Sequence, residues 1–276
     1  MSAGHRHATP AVETRHVRTG TGTVAVDVYG DADAPAAVVV PGALSDARAW
    51  RHVAARLRSW GAVAVVNRQG RAPSTDLPPS YSLRTEVDDV LAVLDTFDEV
   101  EALVGWSYGG LIALSVADIR PVPHVIAYEP VMAPFGASAL PALDRAERGP
   151  GRDAVVETVL REVTGMADAD VEALRSDERA WAELSRLAGP VVAETRAINE
   201  AGVPEGYARR AGRVDLVVGG ANRGRAPYGT SFEDVARLTP HARVHELPGQ
   251  GHLAHLEAPD RLAAFIDDLA AAHRLR

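Results

Sequence analysis

The residues best suited to chemistry lie in Gly105-Trp106-Ser107-Tyr108-Gly109, a G-x-S-x-G pattern. Apolar Val100, Ala102, Leu103 and Val104 precede it and Leu111-Ile112-Ala113-Leu114 follow, an order that reads as strand, tight turn, helix. In such a turn the apex residue takes strained backbone angles, and the flanking glycines remove Cβ atoms that would collide across it. Ser107 would then project its hydroxyl from the carboxyl end of a sheet, where open α/β sheets place their sites. The backbone N–H of Tyr108, opening the helix, would point at an oxyanion formed there. The same pattern also fits a serine that merely caps a helix.

A serine hydroxyl is a weak nucleophile and needs a base within hydrogen-bond reach. His252 is the leading candidate, because Gly249 and Gly251 allow its loop to approach the serine turn. His255 competes with it, while His241 and His245 read as ordinary strand or surface positions. The histidines lack ligand spacing, so no metal is implied. Gly219-Gly220 follows a strand without completing G-x-G-x-x-G, so no nucleotide cofactor is implied either.

The elements that must position these groups follow from the rest of the chain. Its 276 residues suit one large domain or one domain with a substantial insertion. A formal net charge of −8 argues against nucleic-acid or anionic-membrane partners. With no cysteine, disulfides, thiol catalysis and cysteine metal sites are excluded. No stretch suits a bilayer span. Met1 to Pro10 is polar, without the apolar core of a signal peptide, and predicts a cytoplasmic protein; His5-Arg6-His7 reads there as a solvated terminus rather than a metal motif.

Val17 to Tyr29 alternates around Gly20 and Gly22, as two antiparallel strands would. Ala36–Val40 and Val63–Val66 are continuous apolar runs, expected of strands buried on both faces. Helices are predicted after Ser45 or Asp46 (with Trp50, Val53, Ala54 and Leu57 on one face), after Ser82, and after the serine turn. Val122–Tyr128 is a further strand. This alternation predicts a mainly parallel α/β sheet. From Ala133 to about Ala208 strand-like runs vanish and short amphipathic segments take over, predicting a helical insertion over the sheet's carboxyl edge. The rhythm returns with a strand at Val214–Val218, a helix at Phe232–Leu238, a strand at Ala242–Leu247 and a helix at Pro259–His273.

With these pieces in order the chain resembles the α/β-hydrolase fold superfamily over roughly 20–132 and 211–276, with 133–210 as its helical cap and 1–19 as an extension leading into the first strand. The resemblance rests on Val39-Val40-Pro41-Gly42-Ala43 as oxyanion loop, on the Ser107 pentapeptide as nucleophile elbow, and on Gly251-His252 as histidine loop. Tyr81-Ser82-Leu83-Arg84-Thr85-Glu86-Val87-Asp88-Asp89, Tyr128-Glu129-Pro130 and Leu247-Pro248-Gly249-Gln250 are further similar to a branch of small bacterial hydrolases.

The superfamily usually carries an aspartate at the position matched here by Asn222, whose neutral amide cannot stabilise an imidazolium. A second location used in the superfamily is the end of the strand after the nucleophile's helix, where Glu129 stands. The resemblance therefore implies a Ser107-His252-Glu129 triad, with the backbone N–H groups of Ala43 and Tyr108 as oxyanion hole. Trp106, Met132 and Phe135 are candidate substrate contacts. Serine at the elbow excludes chemistry requiring a carboxylate nucleophile there. The expected function is cofactor-independent hydrolysis of a small, largely apolar ester or lactone. Acyl transfer or rearrangement in natural-product assembly is the alternative, as is a binding or regulatory protein with little turnover.

Overall fold

A computed structural model describes residues 12–274; His5 and His7 lie outside the described residues. Eight strands form one sheet in the order β1-β2-β4-β3-β5-β6-β7-β8. They are β1 (Val12–Arg18), β2 (Thr23–Gly30), β3 (Ala36–Val40), β4 (Ala62–Asn67), β5 (Val100–Trp106), β6 (Val122–Tyr128), β7 (Ala211–Gly219) and β8 (Arg243–Leu247). The first two strands pair antiparallel, and β2 joins β4 antiparallel; β4 to β8 are parallel. The expected α/β architecture is the one observed.

The apolar runs explain the layering. Every residue of β3 and β4 is buried, which requires cover on both faces. Because side chains alternate along a strand, Val38, Val40 and Leu103 enter one core and Val39, Val65 and Val104 the other. The first core is covered by α2 (Leu83–Leu94), α3 (Tyr108–Ile119) and α9 (Tyr228–Arg237), through Val90, Leu111 and Phe232. The second is covered by α1 (Ala47–Ala54) and α11 (Pro259–Arg274), through Trp50, Val53, Leu262 and Ile266. Ser82 and Thr85 close a reciprocal capping box at the start of α2, as the serine there suggested.

Between β6 and β7 the regular elements of the described chain are all helical, among them α4 (Leu140–Glu147), α5 (Asp153–Thr158) running into a π-helical turn (Val159–Val163), α6 (Asp168–Ser176), α7 (Glu178–Leu187) and α8 (Val191–Glu200). These helices bury their own apolar cluster, including Leu143, Val156, Leu160, Val171 and Val192. A short α10 (Ala254–Glu257) precedes α11. Among the described residues no helix is long and apolar enough to cross a membrane.

One helix starts earlier than the sequence predicts. The sequence predicts a helix from Phe232, whereas α9 begins at Tyr228 with Pro227 as its cap. Proline is tolerated at a helix start. Gly229 is there for space, since a Cβ would lie 2.0 Å from the carbonyl oxygen of Asn222.

Candidate active site

Parallel strands bring their carboxyl ends to one edge, and the loops after β3, β5, β6, β7 and β8 carry Ala43, Ser107, Glu129, Asn222 and His252 respectively. The ladder runs on past the strand ends: Ser107 N–H donates to Tyr128 O at 2.9 Å and Glu129 N–H to Val217 O at 2.8 Å. Both residues are thereby fixed to the rigid sheet.

Ser107 has φ 56° and ψ −122°, outside the regions open to ordinary residues. The close approaches that force this bend are visible at its glycines. A Cβ on Gly105 would lie 2.3 Å from Gly109 O, and one on Gly109 would lie 2.0 Å from Val40 O. Glu129 is also left-handed, with φ 42°. Such conformations cost about 1–3 kcal/mol each and persist where surrounding structure enforces them.

Glu129 is fully buried. Its Oε2 lies 2.6 Å from His252 Nδ1, and its Oε1 accepts the Gly219 N–H at 2.9 Å. Asn222 Nδ2 lies 3.0 Å from both oxygens. The carboxylate is therefore solvated entirely by protein donors, as a buried charge requires. Asn222, matched in the sequence to a position where the superfamily usually has an aspartate, donates to Glu129.

The histidine loop is pinned by the residues just before Ser107 and Glu129. Trp106 and Tyr128 are register partners on β5 and β6. Trp106 Nε1 donates to His252 O at 2.7 Å, and Tyr128 Oη to Gly251 O at 2.6 Å. The His252 ring lies between two aromatics, with centroids 3.5 Å from Tyr228, nearly parallel, and 4.6 Å from Trp106. With Nδ1 occupied by Glu129, Nε2 is the nitrogen open to a hydroxyl. Burial pushes the His252 pKa below the ordinary imidazole value, while the Glu129 hydrogen bond and charge oppose the shift. The net shift favours the neutral ring.

Ser107 and His252 line the same cavity of about 940 Å³. Ser107 Oγ makes no hydrogen bond among the described residues; in unliganded sites this contact is often long and tightens with substrate. The N–H groups of Ala43 and Tyr108 have no acceptor among the described residues, leaving both donors free. Gly42 lies against the elbow, because a Cβ there would be 2.8 Å from Ser107 Cβ.

Trp106 and Phe135 line the cavity with Leu44, Leu160, Val163 and Leu184. Met132, expected at the same wall, does not line it. It is buried in the main core beneath, its backbone N–H held by Ser231 Oγ at 3.1 Å, because the turn after Glu129 carries it inward. The Tyr108 side chain also points into the core, where its hydroxyl meets that of Tyr81 at 3.3 Å, so only its backbone faces the site. His255 is buried and stacked on Trp50 at 5.1 Å. Burial, reinforced by His252, pushes its pKa down to about 3, and among the described residues its Nδ1 has no hydrogen-bond partner. It packs and lines the cavity without the partner a base requires. Tyr228 escaped the sequence reading, since nothing in Ala226-Pro227-Tyr228 signals which loop it will cover.

Comparison with known proteins places this geometry in context. The model of the alpha/beta hydrolase family matches residues 37–265. A 2-heptyl-3-hydroxy-4(1H)-quinolone dioxygenase from Mycobacteroides abscessus is 27% identical over 265 residues, covering 91% of this chain and 96% of the relative. Among solved structures, an alpha/beta hydrolase from Sphaerobacter thermophilus superposes with a TM-score of 0.74 at 23% identity, covering 92% of this chain and 99% of that one. A carboxylesterase from Bacillus subtilis gives 0.66 at 19% identity, covering 96% and 92%. Likenesses at that identity speak to the fold alone.

Proposed function

The chain belongs to the alpha/beta hydrolase family, and from that premise we propose that it is a serine hydrolase acting on a small, largely apolar ester or lactone. The observation that carries this reading is the His252–Glu129 contact of 2.6 Å together with a strained Ser107 that lines the same cavity as His252. In the proposed cycle His252 Nε2 takes the Ser107 proton as Oγ attacks the carbonyl carbon. The negative oxygen of the tetrahedral adduct is met by the N–H groups of Ala43 and Tyr108. His252 then returns the proton to the leaving alkoxide, and the ester bond breaks to give the acyl-serine. Water, deprotonated by the same nitrogen, releases the acid and regenerates Ser107. Glu129 stabilises the transient imidazolium and fixes its tautomer. Every step uses side chains, these two backbone donors and water.

The cavity supports a substrate with an apolar body. Its volume is at the upper end for small-molecule sites, and its insertion wall includes the apolar Val159, Leu160, Val163, Met166 and Leu184 beside the charged Arg179, Glu183 and Arg186. A p-nitrophenyl ester series from acetyl to dodecanoyl, read with fluorophosphonate labelling, tests the proposal. Turnover within the series, with a single adduct at Ser107, is expected; absence of both defeats it.

A second reading is favoured by the relative from Mycobacteroides abscessus, whose name gives its substrate a ring hydroxyl and an alkyl chain. The His252–Glu129 pair can remove a hydroxyl proton without involving Ser107, and the apolar cavity has room for an alkylated bicycle. Dioxygen would then be the co-substrate. Oxygen uptake with that alkylhydroxyquinolone that survives Ser107→Ala would favour this reading over hydrolysis.

A further inference from the structure

Arg68 follows β4 directly and is about 1% exposed. Its guanidinium spreads over the oxyanion loop: Nε donates to Pro41 O and Nη2 to Gly42 O, each at 2.8 Å. The Gly42 carbonyl is one half of a peptide group whose other half is the N–H of Ala43. A trans peptide is planar, with C=O and N–H pointing oppositely. Holding the oxygen therefore aims the N–H away from Arg68, and a cation at the carbonyl end polarises the amide toward a stronger donor.

We infer that Arg68 is a positioning residue for the oxyanion site, setting the plane and donor strength of the Ala43 N–H through the Gly42 carbonyl. The inference rests on the hydrolase reading and deepens it.

What holds the guanidinium is equally specific. Nη1 donates to Glu86 Oε1 on α2 at 2.5 Å, and Nη2 lies 2.8 Å from Glu194 Oε1 on α8. Arg71 contacts the same Glu194 at 2.7 Å, so two arginines and two glutamates balance in charge. Burial works against the arginine's charge, but Glu194 and Glu86 hold its pKa above the ordinary value. Glu194, although burial opposes its ionisation, is held below the ordinary carboxylate value by Arg68 and Arg71. Glu194 belongs to the helical insertion, so the element that walls the cavity also grips the cation that aims the donor. Arginine's planar fork is required because Nε and Nη2 must reach two successive carbonyls while Nη1 meets a carboxylate; a lysine ammonium cannot span them.

The test compares the wild type with Arg68→Lys and Glu194→Gln, the latter keeping the arginine should the lysine variant fail to fold. Three quantities are read: kcat and KM on p-nitrophenyl butyrate, the inhibition constant of butylboronic acid, and that of 1-octanol. The boronate bonds to Ser107 and puts an oxygen at the N–H donors, whereas octanol fills the cavity without using them. Losing a full oxyanion donor costs about 10²–10³ in kcat. Arg68→Lys is expected to lower kcat by about 10²-fold and weaken the boronate in parallel, with KM and octanol inhibition within about threefold. Glu194→Gln should show the same split, smaller in size. Unchanged kcat and boronate affinity in the folded variants would overturn the inference, and so would octanol inhibition lost in step with kcat, the mark of a collapsed cavity. A wild type that neither turns over the ester nor binds the boronate would fail the hydrolase reading itself; an active wild type matched by its variants would fail only the role of Arg68.

Discussion

Asn222 places one amide nitrogen 3.0 Å from each oxygen of Glu129. A residue at the place commonly held by the acid thus donates to an acid that stands one strand away. Glu129→Gln should be the crippling substitution, since a comparable acid-to-amide change at a triad lowers turnover by about 10⁴. Asn222→Ala removes a hydrogen bond to a charged group, worth about 1.5–3 kcal/mol, and should lower kcat about 10- to 100-fold. Steady-state kinetics on one ester checks both. The reverse order would reassign the acid.

The acid limb of the pH–rate profile should fall below the ordinary imidazole value of 6.5, because burial depresses His252 more than Glu129 raises it. Activity is then retained on acidification until His252 gains its proton. Glu129→Gln removes the raising contribution, so the limb of its residual activity should move further toward acid. The measurement is kcat/KM from pH 4 to 8. A wild-type limb at or above 6.5 would contradict the assignment of His252 as the titrating base.

Tyr228 is expected to act through ring position rather than through its hydroxyl. Its face lies 3.5 Å from the His252 ring, nearly parallel. An aromatic pair contributes about 0.5–1.5 kcal/mol beyond area burial, so Tyr228→Ala should lower kcat by roughly 2- to 10-fold. Tyr228→Phe should remain near wild type. Equal losses in the two variants would point to the hydroxyl instead.

Away from the site, Asp215 is buried between His124 (2.6 Å), Arg213 (2.7 Å) and His245 (2.8 Å). Burial alone would raise its pKa, but these donors hold it at about 2. Its stabilising contribution is complete above the ordinary carboxylate value and is lost as pH falls through about 2. Asp215→Asn strands a buried arginine and should cost about 3–5 kcal/mol in urea unfolding at pH 7, with kcat/KM at the ester unchanged. A loss below about 1 kcal/mol, the worth of a surface pair, would show the cluster to be dispensable.

The parts of this molecule legible in the sequence are those that local rules dictate. Buried runs such as Ala36–Val40, the Ser82 cap and the glycines around Ser107 each carry a backbone requirement that one chain segment can express alone. The parallel alternation then brings the loops to one edge, where Ser107 and His252 line one cavity. The illegible parts are side chains whose partners lie far off in the chain. Tyr228 reaches His252 only because Gly229 lets its helix start against Asn222, and Arg68 meets Glu194 only once the insertion is packed. Met132 misled for the same reason: sequence put it at the mouth of the insertion, but the direction of the turn after Glu129 is set by tertiary packing.

The central claim is that His252 activates Ser107, and the rate of Ser107 phosphonylation by an ethyl fluorophosphonate probe tests it most directly. Intact-mass and peptide mapping should find one adduct, on Ser107, in the wild type and none in Ser107→Ala. In His252→Ala the labelling rate should fall by at least about 10³-fold, in line with losses on removing a triad member. Labelling that proceeds in His252→Ala at the wild-type rate, or a folded wild type that takes no label, would contradict it.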